Sequence, residues 1–100
     1  MRIEQFRYLL KVMETKSLTA AGSQLFISQQ AVSQAIQGLE KELGAQLLKR
    51  SYQGVDFTDE GLYVADIGAQ IMALLKELES HFHLDEQRRE EELLKIAAEK

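Results

Sequence analysis

Five apolar residues late in the chain, Val64, Ile67, Ile71, Leu74 and Leu78, step by three, four, three and four. That spacing is the a/d seam of two heptads, and it predicts a long helix whose apolar stripe has to be covered by something. Earlier segments show the same period. Ile3, Phe6, Leu10 and Met13 recur at helical spacing, with Leu9 widening the stripe. Leu18, Ala21 and Leu25 form a shorter inward face, and Val32, Ile36, Leu39 and Leu43 a longer one. The chain has no proline, so nothing interrupts these segments and the fold class is mostly α.

The residues between the periodic stretches mark where each one stops. Thr15-Lys16-Ser17 breaks the first helix, and Ser17 or Thr19 caps the second. Gly22 is small enough to let two helices approach closely. After Phe26-Ile27, Ser28 caps a third helix running from Gln29 to about Leu43, and Gly44 closes it. Gln46-Leu47-Leu48-Lys49-Arg50 and Val55-Asp56-Phe57 flank a turn at Gly54, which reads as a two-stranded hairpin. Thr58 caps the long helix, with Asp59 and Glu60 placed well for its dipole. The seam fails at His81 and Asp85. Residues 85–92 are a charge run without an apolar side chain, and residues 93–98 turn apolar again.

One hundred residues, 45% apolar and 28% charged, suit one soluble domain with an appendage. A chain this short buries a modest core and often leans on a partner. It has no cysteine, which excludes disulfides, thiolate catalysis and cysteine-ligated zinc. Its longest apolar run, residues 69–75, is broken by Gln70, so no membrane span is expected. Met1-Arg2-Ile3-Glu4-Gln5 lacks the apolar stretch of a signal peptide, and a cytoplasmic location is expected. The formal net charge of -4 divides unevenly. Residues 1–58 carry seven Lys/Arg against five Asp/Glu, a net of +2, whereas residues 59–100 carry five against eleven, a net of -6. The first part can approach a polyanion; the second would be repelled by one.

Three short helices followed by a hairpin make a winged helix-turn-helix, with the third helix as the recognition helix. The outer face of that helix is unusual. No residue between 28 and 39 is charged, yet Gln29, Gln30, Ser33, Gln34 and Gln37 are polar and outward-facing. Glutamine can bond adenine through N6 and N7, and serine can donate or accept at either base. Backbone amides at the helix start, beside Ser28, can hold a phosphate. Lys49 and Arg50 on the hairpin can reach a second phosphate or the minor groove. Other constellations are weaker. His81 and His83 lie two apart, so on a helix they point to different sides and with Glu79 and Asp85 predict no metal site. Ser28, Ser33 and the histidines form no nucleophile–base pair by spacing, and neither an enzyme nor a cofactor is expected.

At these residues the chain resembles the N-terminal region of LysR-type transcriptional regulators. The resemblance rests on Gln5-Phe6-Arg7-Tyr8-Leu9-Leu10, Ser17-Leu18-Thr19, Ala21, Leu25, Ser28-Gln29 and Ala31-Val32-Ser33. It continues through Ile36, Leu39-Glu40-Lys41-Glu42-Leu43-Gly44, Leu47, Arg50 and Thr58-Asp59-Glu60-Gly61, covering residues 1–82 without a gap. It implies a winged helix-turn-helix reader of promoter or operator DNA, then a linker helix that pairs antiparallel with its twin, then a two-lobed domain sensing a small molecule. The family's base and backbone contacts carry over onto Gln29, Gln30, Ser33, Gln34 and Arg50. The chain departs from the usual pattern at Gln30, where proline is common, and at Gly22 and Leu48, where alanine and phenylalanine are usual. Basic residues are common in the family where Ala20, Gln24, Gln34, Gln37, Gln53 and Asp56 stand here.

These observations predict a DNA-binding domain over residues 1–58 and a linker and dimerisation helix over 59–84. Residues 85–100 are expected to form a charged hinge and the first strand of an effector domain, since Leu93 to Ala98, with its Leu94-Lys95-Ile96-Ala97-Ala98, resembles that strand. The chain is then a fragment of a longer regulator, a homodimer here and a tetramer if the effector domain is present. The alternatives are a naturally short protein and, in another functional class, a dimeric helical protein-interaction module that uses the same long helix without binding DNA.

Overall fold

The structure, a computed structural model, describes residues 1–83. The end of the expected linker, the charge run and the expected first strand lie outside the described residues. In chain order the elements are α1 (Ile3–Thr15), α2 (Leu18–Leu25), α3 (Gln29–Leu43), β1 (Leu48–Ser51), β2 (Gly54–Phe57) and α4 (Asp59–His81). The strands form one antiparallel hairpin, with Leu48 opposite Phe57 and Ser51 opposite Gly54.

Local chemistry explains where each helix begins. The hydroxyls of Ser17, Ser28 and Thr58 accept from the N–H groups of Ala20, Ala31 and Gly61 at 3.1, 3.0 and 2.9 Å. Each such cap contributes about 1 kcal/mol. Thr19 is therefore not a cap. The start of α1 is held differently: the side-chain carbonyl of Gln5 accepts from Arg2 N–H at 2.7 Å. The same side chain donates to Ala35 O at 3.1 Å, tying α1 to α3.

The core lies where α1, α2 and α3 meet the wing and α4. Phe6, Leu9, Val12, Leu18, Ala21, Val32, Ile36, Leu39, Leu47, Val55 and Ala65 are buried there. Two expected faces are displaced. On α1 the buried line is Phe6, Leu9 and Val12, while Leu10 and Met13 flank it half-buried and Ile3 is exposed. α1 packs on α2 and α3 from one side and α4 from the other, so its buried centre falls between those neighbours. Leu43 is also exposed, because the last turn of α3 runs past the core, and Leu25 is only half-buried.

α4 corrects the expectation of a single stripe. Its buried residues are Gly61, Ala65 and Gly68, a row facing α1. A Cβ at Gly68 would stand 3.2 Å from Phe6 Cδ1, so the two helices are in close contact there. At about 100° per residue, the seam lies roughly a quarter-turn round from that row. Val64 and Ile71, on its inner edge, pack against the core, whereas Ile67, Leu74 and Leu78 are 36%, 65% and 55% exposed. The helix thus carries two adjoining apolar faces, one docked on α1 and one open.

The first turn of α4 sits directly on the segment before the wing. A Cβ added at Gly61 would collide with Leu47 O and lie 2.9 Å from its carbonyl carbon. Backbone on both sides leaves nothing flexible to give way. Gly61→Ala is therefore expected to lower stability by about 1–3 kcal/mol. Thermal unfolding followed by circular dichroism should show the midpoint falling by about 4–8 °C per kcal/mol.

Candidate nucleic-acid interface

Ser28 caps α3 and is thereby committed to Ala31 N–H. Beyond it, Gln29, Gln30, Gln34 and Gln37 are exposed and Ser33 is half-buried. Gln29, Gln30, Ser33 and Gln34 line one shallow groove together with Arg50 from β1. Gln37 lies a turn further along, donates to Ser33 Oγ at 3.4 Å, and lines the adjoining cleft between α3 and the wing. Of the eight predicted site residues, five share the groove, Gln37 borders it, and Ser28 sets the helix start above it.

Lys49 is the residue that stands apart. Adjacent strand residues point to opposite faces. Arg50 pairs with Val55, which is buried, and so shares the face turned toward α3; Lys49 pairs with Asp56 on the outer face. Two adjacent basic residues in the sequence therefore do not form one basic patch.

Three positioning contacts carry no signal in the residue spacing. Thr19 Oγ1 donates to Gln29 Oε1 at 3.2 Å, so α2 orients the first glutamine of the reading face. Glu40, on the inner side of α3, accepts from Leu47 N–H at 2.7 Å and from Leu48 N–H at 3.3 Å. Val55 N–H donates to Lys16 O at 3.4 Å, fastening the wing to the end of α1. A second groove is lined by Ser17, Thr19, Gln29, Arg50 and Ser51, with hydroxyls on both walls. Together the two grooves offer amide and hydroxyl hydrogen-bonding groups and a single guanidinium. That set can bond base edges and one phosphate strand, and it holds no acid–base pair for catalysis.

Residues 3–62 match the family described as "Bacterial regulatory helix-turn-helix protein, lysR family". The chain belongs to the LysR family. Among curated members it is 40% identical over 74 residues to the HTH-type transcriptional regulator BudR of Raoultella terrigena, covering 74% of this chain and 26% of that protein. It is 35% identical over 80 residues to the HTH-type transcriptional regulator BenM of Acinetobacter baylyi, covering 80% of this chain and 26% of that one. The chain thus spans about a quarter of the length of the curated relatives it matches, and these are transcriptional regulators rather than enzymes. Among solved structures, BenM_DBD in complex with catB site 1 DNA superposes with a TM-score of 0.79 at 34% identity, covering 83% of this chain and 93% of that one. CbnR, a LysR family transcriptional regulator, gives 0.79 at 29% identity over 83% of this chain and 29% of its own. The family fold is thus the winged helix-turn-helix with its long fourth helix.

Glu40 is expected to govern the wing rather than the reading helix. Glu40→Ala leaves two part-buried N–H groups without their acceptor, at a cost of about 1–3 kcal/mol. Amide exchange at Leu47 and Leu48 should accelerate well beyond that of Leu9 or Val12 in α1. Equal acceleration throughout would show that Glu40 contributes only to global stability.

Proposed function

We propose that this chain is the DNA-reading part of a LysR-type transcriptional regulator, which binds promoter or operator duplex sequence-specifically as a homodimer. The observation that carries the reading is the uncharged groove of Gln29, Gln30, Ser33 and Gln34 beside Arg50. A helix face without charge gains little from a bare polyanion, but its amides match base edges. The N-terminal half of α3 enters the major groove, Gln29 bonds adenine through N6 and N7, and Arg50 contacts the phosphate strand beside it. Lys49, turned outward, reaches the duplex only through longer-range attraction. The resemblance of the fold to BenM_DBD in its catB site 1 DNA complex supports this docking. Among the described residues no helix is long and apolar enough to cross a membrane, and a reader of chromosomal DNA works in the cytoplasm. Residues beyond this chain would supply the effector domain and, with it, a tetramer.

The open face of α4 supports the dimer. Ile67, Leu74 and Leu78 are exposed large apolar residues at heptad spacing, and a second copy of the same face covers them.

Two measurements test this reading. On a duplex recovered by in vitro selection, Gln29→Ala should cost about 1–3 kcal/mol, with little loss on unrelated duplex. Arg50→Ala should instead weaken both duplexes by a similar factor, because a phosphate contact carries no sequence information directly. A uniform loss for Gln29→Ala would remove it as a reader. Leu74→Asp places a charge in the apolar seam and should cost several kcal/mol of association. Sedimentation should then show monomers, with a strong fall in DNA affinity as the two half-sites are uncoupled.

A further inference from the structure

Gly22 stands inside α2, where glycine makes a helix less stable than alanine would. It is buried, and what lies against it accounts for the choice of residue. A Cβ there would stand 2.8 Å from Ile27 O, 3.2 Å from Gln29 N and 3.3 Å from the Ser28 carbonyl carbon. All three atoms are backbone. They belong to the turn that leads into α3 and to the first residue of that helix. The turn is also bonded back to the same residue, since Ile27 N–H donates to Gly22 O at 2.9 Å. The bare face of Gly22 therefore decides how closely the start of α3 approaches α2.

Thr19 lies three residues earlier, on the same side of α2. Its bond to Gln29 Oε1 means that one helix holds Gln29 twice. Gly22 sets the place of its backbone, and Thr19 the direction of its side chain. Among the described residues, Gln30 and Gln34 make no such bond to α2. A glutamine amide discriminates between bases only while its oxygen and its nitrogen keep their places. Its carbonyl oxygen has two lone pairs. Oε1 can thus accept from Thr19 and still accept from adenine N6, while Nε2 donates to N7. Released from Thr19, the side chain turns through other rotamers and meets other base edges.

We propose that Gly22 and Thr19 are positioning residues for base choice, which together hold Gln29 in the one place and the one amide orientation that suit a single base pair. This rests on the DNA-binding reading above. Neither residue touches a base; both act through Gln29. A Cβ at Gly22 forces the turn and the first residue of α3 away from α2, and no flexible side chain lies between to absorb the change. Hydrogen bonds weaken with lost alignment, so the bonds of Gln29 suffer before contacts further along α3.

The test uses the full 100-residue chain and a duplex recovered from a random pool. The base pair sensitive to Gln29→Ala is changed to each of the other three, and so are the remaining pairs of the site. Binding is compared for the unaltered chain, Gly22→Ala, Thr19→Val and Thr19→Ser. Alanine favours a helix and is the family's usual residue at position 22, so Gly22→Ala should fold, which circular dichroism checks. Gly22→Ala and Thr19→Val should each lower the preference at the Gln29-sensitive pair by about threefold to tenfold, the size of one hydrogen bond. Preferences at the other pairs should stay, and Thr19→Ser, which keeps the hydroxyl, should behave as the unaltered chain. A merely structural role would weaken every duplex by a common factor. If either Gly22→Ala or Thr19→Val keeps the preference or weakens all duplexes alike, or if Thr19→Ser loses it, the positioning proposal is overturned while the α3 reading stands. If Gln29→Ala itself acts uniformly, or the chain selects no duplex, the reading role of Gln29 falls and the proposal falls with it.

Discussion

At Leu47 the backbone meets two other segments at once, α3 and the start of α4. Its N–H donates to the Glu40 carboxylate of α3, and its carbonyl accepts from Thr58 N–H at the start of α4. Gly61 rests directly on that carbonyl, and the Leu47 side chain is fully buried in the core. None of these contacts is large alone, since a hydrogen bond to a charged acceptor contributes about 1.5–3 kcal/mol. Their effect is geometric. The end of α3, the root of the wing and the first turn of α4 are fixed through one residue, so a shift of any of them displaces the other two.

That junction matters because α4 has two tasks on adjoining faces. The small row Gly61, Ala65 and Gly68 lets α4 approach α1, with Phe6 filling the space left at Gly68. A bulkier row would push the helix outward and swing the seam of Ile67, Leu74 and Leu78 with it. The angle between the two faces is set by the helical repeat, and the direction of α4 is set at Leu47. On the proposed reading, these two constraints fix how far apart, and in what orientation, a pair of reading helices meets successive major grooves.

The legible parts of the fold were those decided locally. Ser17, Ser28, Thr58 and Gly44 mark helix ends because a cap acts within one turn, and the observed α3 runs from Gln29 to Leu43 as its punctuation requires. The choice of buried residues on α1 was less legible. Val12 is buried and Ile3 exposed because neighbours distant in sequence decide which part of a wide stripe is covered. The seam concealed its second face because glycine and alanine do not register as an apolar stripe, although a close helix contact needs them. Glu40 resembles any surface acid until Leu47 is seen to fold back onto it. The division of Lys49 from Arg50 follows from strand alternation, a signal present in the sequence but lost when the two are read as a basic pair. The glutamine face itself was visible as an absence of charge, with the family resemblance supplying its role.

The neutral reading face and the open seam make sense together. Each phosphate that a cation neutralises adds about 0.9 to the salt dependence and strengthens binding to any duplex. Here the groove holds one guanidinium, while Lys49 faces away beside Asp56. Glutamine amides add affinity only where the bases match, and against the wrong bases they lose the bonds they made with water. On the proposed reading, such a head discriminates well but binds weakly by itself. Joining two heads raises affinity without adding charge, because the second binding event becomes intramolecular. The gain is greatest when the spacing of the heads is fixed, and in this chain that spacing depends on the close packing of α4 on α1. Selectivity is then assigned to α3 and affinity to the dimer, which is why the helix must dock and remain open along the same length.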